Sequence, residues 1–190
     1  VSYVDLDSIQ RPSNGAVANP AWGDQVNDNI KFLAGALAVL AANGRAYATN
    51  PGAVGTTTTA FATNSEDFLN GGVTLVSGGL VVPVAGVYFV RVQGSVSGAP
   101  NGYWVEAHIM RNGNSVRTGN RDISGAANGN LAVECADLVT ASAGDTFQLG
   151  LVGLSTGVST NPGTGANCSV TVDLRSTATV GTATNVNSGW

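Results

Sequence analysis

Between about residue 60 and residue 175 apolar side chains recur at every second position, and this period of two constrains the fold more than any other feature of the chain. Tyr88, Val90, Val92 and Val96 share one face of a segment over 87–97, opposite Arg91, Gln93 and Ser95. Tyr103, Val105, Ala107 and Ile109 oppose Trp104, Glu106, His108 and Met110. The same alternation returns at Leu131/Val133/Cys135, at Phe147/Leu149/Leu151 and at Cys168/Val170/Val172/Leu174. Each segment reads as a half-buried strand. Asn112-Gly113 signals a tight hairpin, and Gly78-Gly79, the run from Gly98 to Gly102 and Asn161-Pro162-Gly163 break the chain elsewhere. About eight short strands with no helix between them predict an antiparallel sandwich or jelly roll.

Upstream the periodicity is helical. Asn19 is placed to cap free amides, Pro20 suits the first helical position and Asp24 the positive end of the dipole. Val26, Ile30, Leu33, Leu37 and Leu40 then follow in alternating steps of four and three, with Trp22 one step earlier. That is the seam of helices wound about one another, and Asn43-Gly44 is read as its end. The seam lasts about two heptads, so packing on the chain's own domain is the alternative to self-association or docking. The expected organisation is an N-terminal arm and attachment helix over 1–45, a linker over 46–59 containing Asn50-Pro51-Gly52, a β-sandwich over 60–175 and a polar tail over 176–190 ending in Trp190.

Composition narrows the function. Hydrophobic residues make up 43% of the 190, enough for a core, but charged residues only 11%, under half of the roughly 25% of an ordinary soluble domain. Such a surface suits packing against copies of itself or another large surface. The net charge of −4, with Lys31 the single lysine, leaves no basic run for nucleic acid. The apolar run from Phe32 to Ala42 is about half of the roughly 20 residues that span a bilayer. The first residues lack the cationic start of a secretory leader, from which synthesis and assembly in a cytoplasm are expected.

Little here promises catalysis. His108 and Glu106 share a strand face, as a base with an orienting carboxylate, two metal ligands, or merely polar residues on an outward or intersubunit face. No Gly-x-Ser-x-Gly elbow or phosphate-binding loop occurs. Asp122, Asp137, Asp145 and Asp173 are not spaced as a calcium loop, though a calcium between subunits stays open. Cys135 and Cys168 are expected as buried thiols, with a disulfide as the alternative. The expectation is a non-enzyme without cofactor or metal. Phe89, Trp104 and Met110 form a bulky apolar row on otherwise polar faces. They are expected at a subunit interface, unless the second sheet closes over them.

Four pieces in order give the β region a resemblance to the C1q/TNF-like jelly roll. Pro83-Val84-Ala85-Gly86-Val87-Tyr88-Phe89-Val90 is similar to that family's P-x-x-G-x-Y strand start, and Ile109-Met110-Arg111-Asn112-Gly113 to its basic-Asn-Gly hairpin. Ala143-Gly144-Asp145-Thr146-Phe147 resembles its Gly-Asp turn, and Cys168-Ser169-Val170-Thr171-Val172 stands at the closing strand. The resemblance implies a homotrimer around an axis that a coiled coil can continue. The N-terminus resembles another recurrent piece, from tailed-phage structural proteins: Arg11-Pro12-Ser13-Asn14-Gly15, then Trp22-Gly23-Asp24-Gln25-Val26-Asn27-Asp28-Asn29. It implies attachment through that segment to a major capsid or other virion protein.

Two functions follow as expectations. One is a trimeric capsid decoration or head-fibre protein on the virion surface. The other is a tail-tip protein binding a host surface glycan or protein through the segments 98–102, 120–130 and 155–167. The missing leader disfavours a third, an extracellular C1q-like signalling ligand.

Overall fold

Alternation needs two sheets to bury its inner faces, and a computed structural model of the chain supplies them. The structure describes residues 27–30, 33, 42–49, 52–76, 78–155, 158–159 and 168–177. Residues 27–30 and 33 are helical. Among the described residues thirteen strands follow: β1 Asn43–Tyr47, β2 Ala53–Val54, β3 Thr59–Phe61, β4 Ser65–Asn70, β5 Thr74–Val76, β6 Gly79–Val81, β7 Gly86–Ala99, β8 Trp104–Arg111, β9 Asn114–Ile123, β10 Gly129–Ala141, β11 Thr146–Gly153, β12 Val158–Ser159 and β13 Ser169–Thr177.

The first sheet runs β10-β7-β13-β1-β4 and the second β5-β6-β11-β8-β9, with β3 added on β11. Every pairing is antiparallel. The eight principal strands pair in a nested way, β1 with β13, β6 with β11, β7 with β10 and β8 with β9. That is a long hairpin rolled into two layers, which defines a jelly roll. The innermost turn is Asn112-Gly113, whose φ angles of 51° and 79° are the left-handed pair that an Asn-Gly hairpin turn requires. Tyr88, Val90, Val92 and Val96 of β7 meet Val105, Ala107 and Ile109 of β8 and Phe147, Leu149 and Leu151 of β11 in one core. Each fully buried large side chain there contributes roughly 1.5–3 kcal/mol.

The described residues of the segment expected as helix end and linker instead contribute strands to the sandwich. β1 is an interior strand, in register with β13 on one side and β4 on the other. Ala42, Ala46 and Ala48 enter the core, and Gly44 has the same inward phase. A Cβ on Gly44 would sit 2.9 Å from Val73 Cγ1 and 3.1 Å from Leu69 Cδ2, so this glycine allows close packing and does not cap a helix. The β region therefore begins near residue 42, not 60, and β13 carries it to 177. Of the expected attachment helix, Trp22, Val26, Leu37 and Leu40 lie outside the described residues, as does the tail from 178 onward.

Candidate functional site

Strand register gives the sandwich two distinct ends. Gly86 of β7 pairs with Ala141 and Thr177, while Ala99 at its other terminus pairs with Gly129. Ala42 accepts a backbone bond from Leu174, and Leu174 pairs with Tyr88, so the chain before β1 joins the domain near the Gly86 end. At the far end the β7–β8 and β9–β10 loops bind each other: Gly102 N donates to the Ser124 carbonyl and Ser124 N to that of Tyr103. The Tyr103 hydroxyl donates to the Ser155 carbonyl. From Tyr88 to Ala99 along β7 is roughly 35 Å at strand rise. Of the expected loop segments, 120–123 belongs to β9, while 156–157 and 160–167 lie outside the described residues.

The three candidate interface residues do not form one surface. Phe89 is half-buried on the outer face of the first sheet, where it pairs with Leu138 of β10, which is 53% exposed. The Arg175 guanidinium lies 5.3 Å from the Phe89 ring centroid. Trp104 is half-buried on the outer face of the second sheet, with Arg121 stacked 4.0 Å from its centroid. It pairs with the exposed Ile123, and Leu154 N donates to its carbonyl. Met110 is only 3% exposed, which corrects the expectation of an outward, uncovered side chain. The reason is Gly150 of β11: a Cβ there would meet Met110 Sδ at 2.6 Å and His108 Cβ at 3.2 Å, so Met110 lies down across the glycine. Ile30 and Leu33 of the helical segment are 58% and 54% exposed.

His108 and Glu106 do share the outer face of β8, and the structure adds partners that the sequence did not reveal. His108 Nδ1 is 2.9 Å from Ser115 Oγ and 3.3 Å from Thr118 Oγ1. His108 Nε2 lies 3.1 Å from Glu106 Oε1 but without hydrogen-bond alignment. Glu106 Oε2 accepts from Arg121 Nε at 3.1 Å and Nη2 at 2.8 Å. Arg121 thus neutralises the carboxylate and reaches back over Trp104. The array ties β8 to β9 through the Arg121–Glu106 and His108–Ser115 contacts, and His108 Nε2 is left buried without a hydrogen-bond partner among the described residues. Ser115 and Thr118 were hidden because β-bulges break the β8–β9 register on both sides of His108, between Glu106 and His108 and between Ile109 and Met110.

The other candidates stand apart. Cys135 and Cys168 are separate buried thiols, and burial pushes both up from the ordinary thiol value. Asp122 accepts from the amides of Ile123 and Ala132, Asp137 from Arg117, Asp173 from Arg175 and Asp145 from Asn112 and Ser142. Among the described residues, no three His, Cys, Asp or Glu side chains gather as a metal site.

No family model matches the sequence, and no curated protein does. Among solved structures the chain is similar to Eiger TNF from S. frugiperda, at 12% identity and a TM-score of 0.49, over 70% of this chain and 92% of that one.

Proposed function

We propose that this chain is a structural virion-surface protein, a homotrimeric capsid decoration or head-fibre protein of the C1q/TNF-like type, without enzymatic activity. Its N-terminal segment holds a major capsid or other virion protein. The observation that carries this reading is the polarity of the sandwich. β1 begins near the Gly86 end of β7, while the β7–β8 and β9–β10 loops stand at the Ala99 end. An anchored domain needs that arrangement. The exposed Ile30 and Leu33 supply apolar surface for a partner helix, and three linked copies multiply a weak contact by avidity. The phage-type motif around Trp22 and Val26 supports the virion as the place.

The test is particle attachment. Replacing Trp22 and Val26 with glutamate should abolish binding to the particle while circular dichroism shows the β domain intact. Attachment that survives this change removes the N-terminal segment as the anchor. Imaging particles that carry a labelled copy then separates head from tail.

A second reading, host adhesion from a tail tip, is favoured by the same polarity, because the interlocked loops face away from the attachment end. Purified protein that binds host cells and blocks infection would select it over decoration.

A further inference from the structure

One cavity, of about 340 Å³, lies toward the loop-bearing end of the first sheet's outer face. Ser95 and Ala132, cross-strand neighbours on β7 and β10, form its floor. The next pair along, Gln93 and Glu134, makes one wall. Asn120 reaches over from β9 of the other sheet as the second wall, its Oδ1 accepting the Glu134 amide at 2.5 Å.

The polar atoms here are positioned yet incompletely used. Glu134 Oε2 accepts from Arg91, and from Gln93 Nε2 at 3.3 Å, while Oε1 has no partner among the described residues. The same holds for Asn120 Nδ2 and the Ser95 hydroxyl. The carboxylate disfavours anions and the adjoining Arg91 disfavours cations. What remains is a carboxylate acceptor and an amide donor lining one groove with a floor of small side chains. That pattern suits neighbouring hydroxyl groups, each of which donates to the carboxylate while accepting from an amide. The volume is at the small end for ligand pockets, enough for one ring. We propose that this groove binds a neutral pyranoside, one sugar ring at a time, with Glu134 accepting from and Asn120 donating to adjacent hydroxyls. The inference stands on the groove alone and does not require the virion reading.

The test is a nuclear magnetic resonance titration of the full chain with methyl α-D-mannopyranoside and methyl β-D-galactopyranoside. Between them these present equatorial–equatorial and axial–equatorial hydroxyl pairs; sorbitol serves as the acyclic control. At least one glycoside should give saturable shifts at the amides of residues 93–95, 120 and 132–134, and sorbitol none. Asn120→Asp keeps the oxygen that holds the Glu134 amide but loses the donor, and should weaken binding about tenfold. Ala132→Leu, at an exposed floor position, should abolish it with an unchanged melting curve. No saturable shift with either glycoside overturns the proposal, as does equal binding by the Ala132→Leu protein.

Discussion

Asn112 and Asp145 bind each other across 33 residues of chain, the Asn112 Nδ2 donating to Asp145 Oδ1 at 2.7 Å. The pair clasps the β8–β9 turn to the β10–β11 loop. Thr146 N donates to Asn112 Oδ1 at 2.8 Å and Ser142 N to Asp145 Oδ2 at 2.9 Å, so one amide and one carboxylate bring order to two turns. These are the residues of the Asn-Gly and Gly-Asp pieces that carry the family resemblance, and their spatial meeting gives both pieces a physical reason.

Asp145→Ala should therefore lower stability by about 1–2 kcal/mol, a fall of roughly 3–6 °C in melting temperature. Burial pushes the Asp145 carboxyl up, but the Ser142 amide, the Asn112 side chain and the nearby Arg111 outweigh it and hold the group below the ordinary carboxylate range. A lowered folded-state value means the contribution is complete above the unfolded carboxylate value and is lost as pH falls through the folded one. The difference between wild type and Asp145→Ala should shrink on acidification from neutral pH, as read from paired melting curves. A difference that stays constant into acid would assign the loss to packing.

Gly119 sets how closely β9 approaches β10. A Cβ at this position would sit 2.1 Å from the Glu134 carbonyl oxygen and 2.7 Å from Cys135 Cα, and backbone cannot swing aside as a side chain can. Gly119→Ala should cost about 3 kcal/mol, measured as a shift in the denaturant midpoint. Gly113→Ala meets open space but a φ of 79° and should cost about 1 kcal/mol. Equal losses for the two would show that the sheets separate easily at the β9–β10 edge.

The sequence is legible where side chains are large enough to mark a face. Tyr88, Val90, Val92 and Val96 announce β7, and the innermost turn follows from Asn112-Gly113 alone. β1 escaped because the inward positions in it and beside it are Ala42, Gly44, Ala46 and Ala48, which bury well but carry too little apolar surface to show a period. β9 escaped because it is an edge strand with bulges, polar on nearly every residue from Asn114 to Ile123. Met110 was misplaced because its cover is a glycine on a neighbouring strand. The groove was invisible for a related reason: Gln93, Asn120 and Glu134 come from three strands, and no local pattern brings them together.

The two thiols test the interior directly. Cys135 lies on β10 and Cys168 directly precedes β13, with β7 between these strands in the sheet; both are free, and burial raises both thiols. The thiolate is the reactive form, so neither cysteine should react with iodoacetamide in the native protein at neutral pH. Two equivalents should react after unfolding without reductant. A requirement for reductant would reveal a bridge and contradict the packing.

Subunit association discriminates between the two outer faces. Leu138 and Phe89 pair on the first sheet, and Leu138 exposes about half of its surface to solvent in the single chain. Trp104 and Ile123 pair on the second, where Arg121 already covers one side of the indole. If three subunits pack through the first sheet, a carboxylate at Leu138 would be carried into a contact without a cation to meet it, because Arg91, Arg117 and Arg175 are committed to Glu134, Asp137 and Asp173. Burying an unpaired charge costs several kcal/mol per contact, whereas the same residue on an exposed strand costs the monomer little. Leu138→Asp should reduce the solution mass from three subunits to one while leaving the circular dichroism and the β-domain melt in place. Trp104→Ala should leave the mass at three. The opposite outcome, dissociation by Trp104→Ala and none by Leu138→Asp, would move the interface to the second sheet, and a wild-type mass of one subunit would remove the trimer itself.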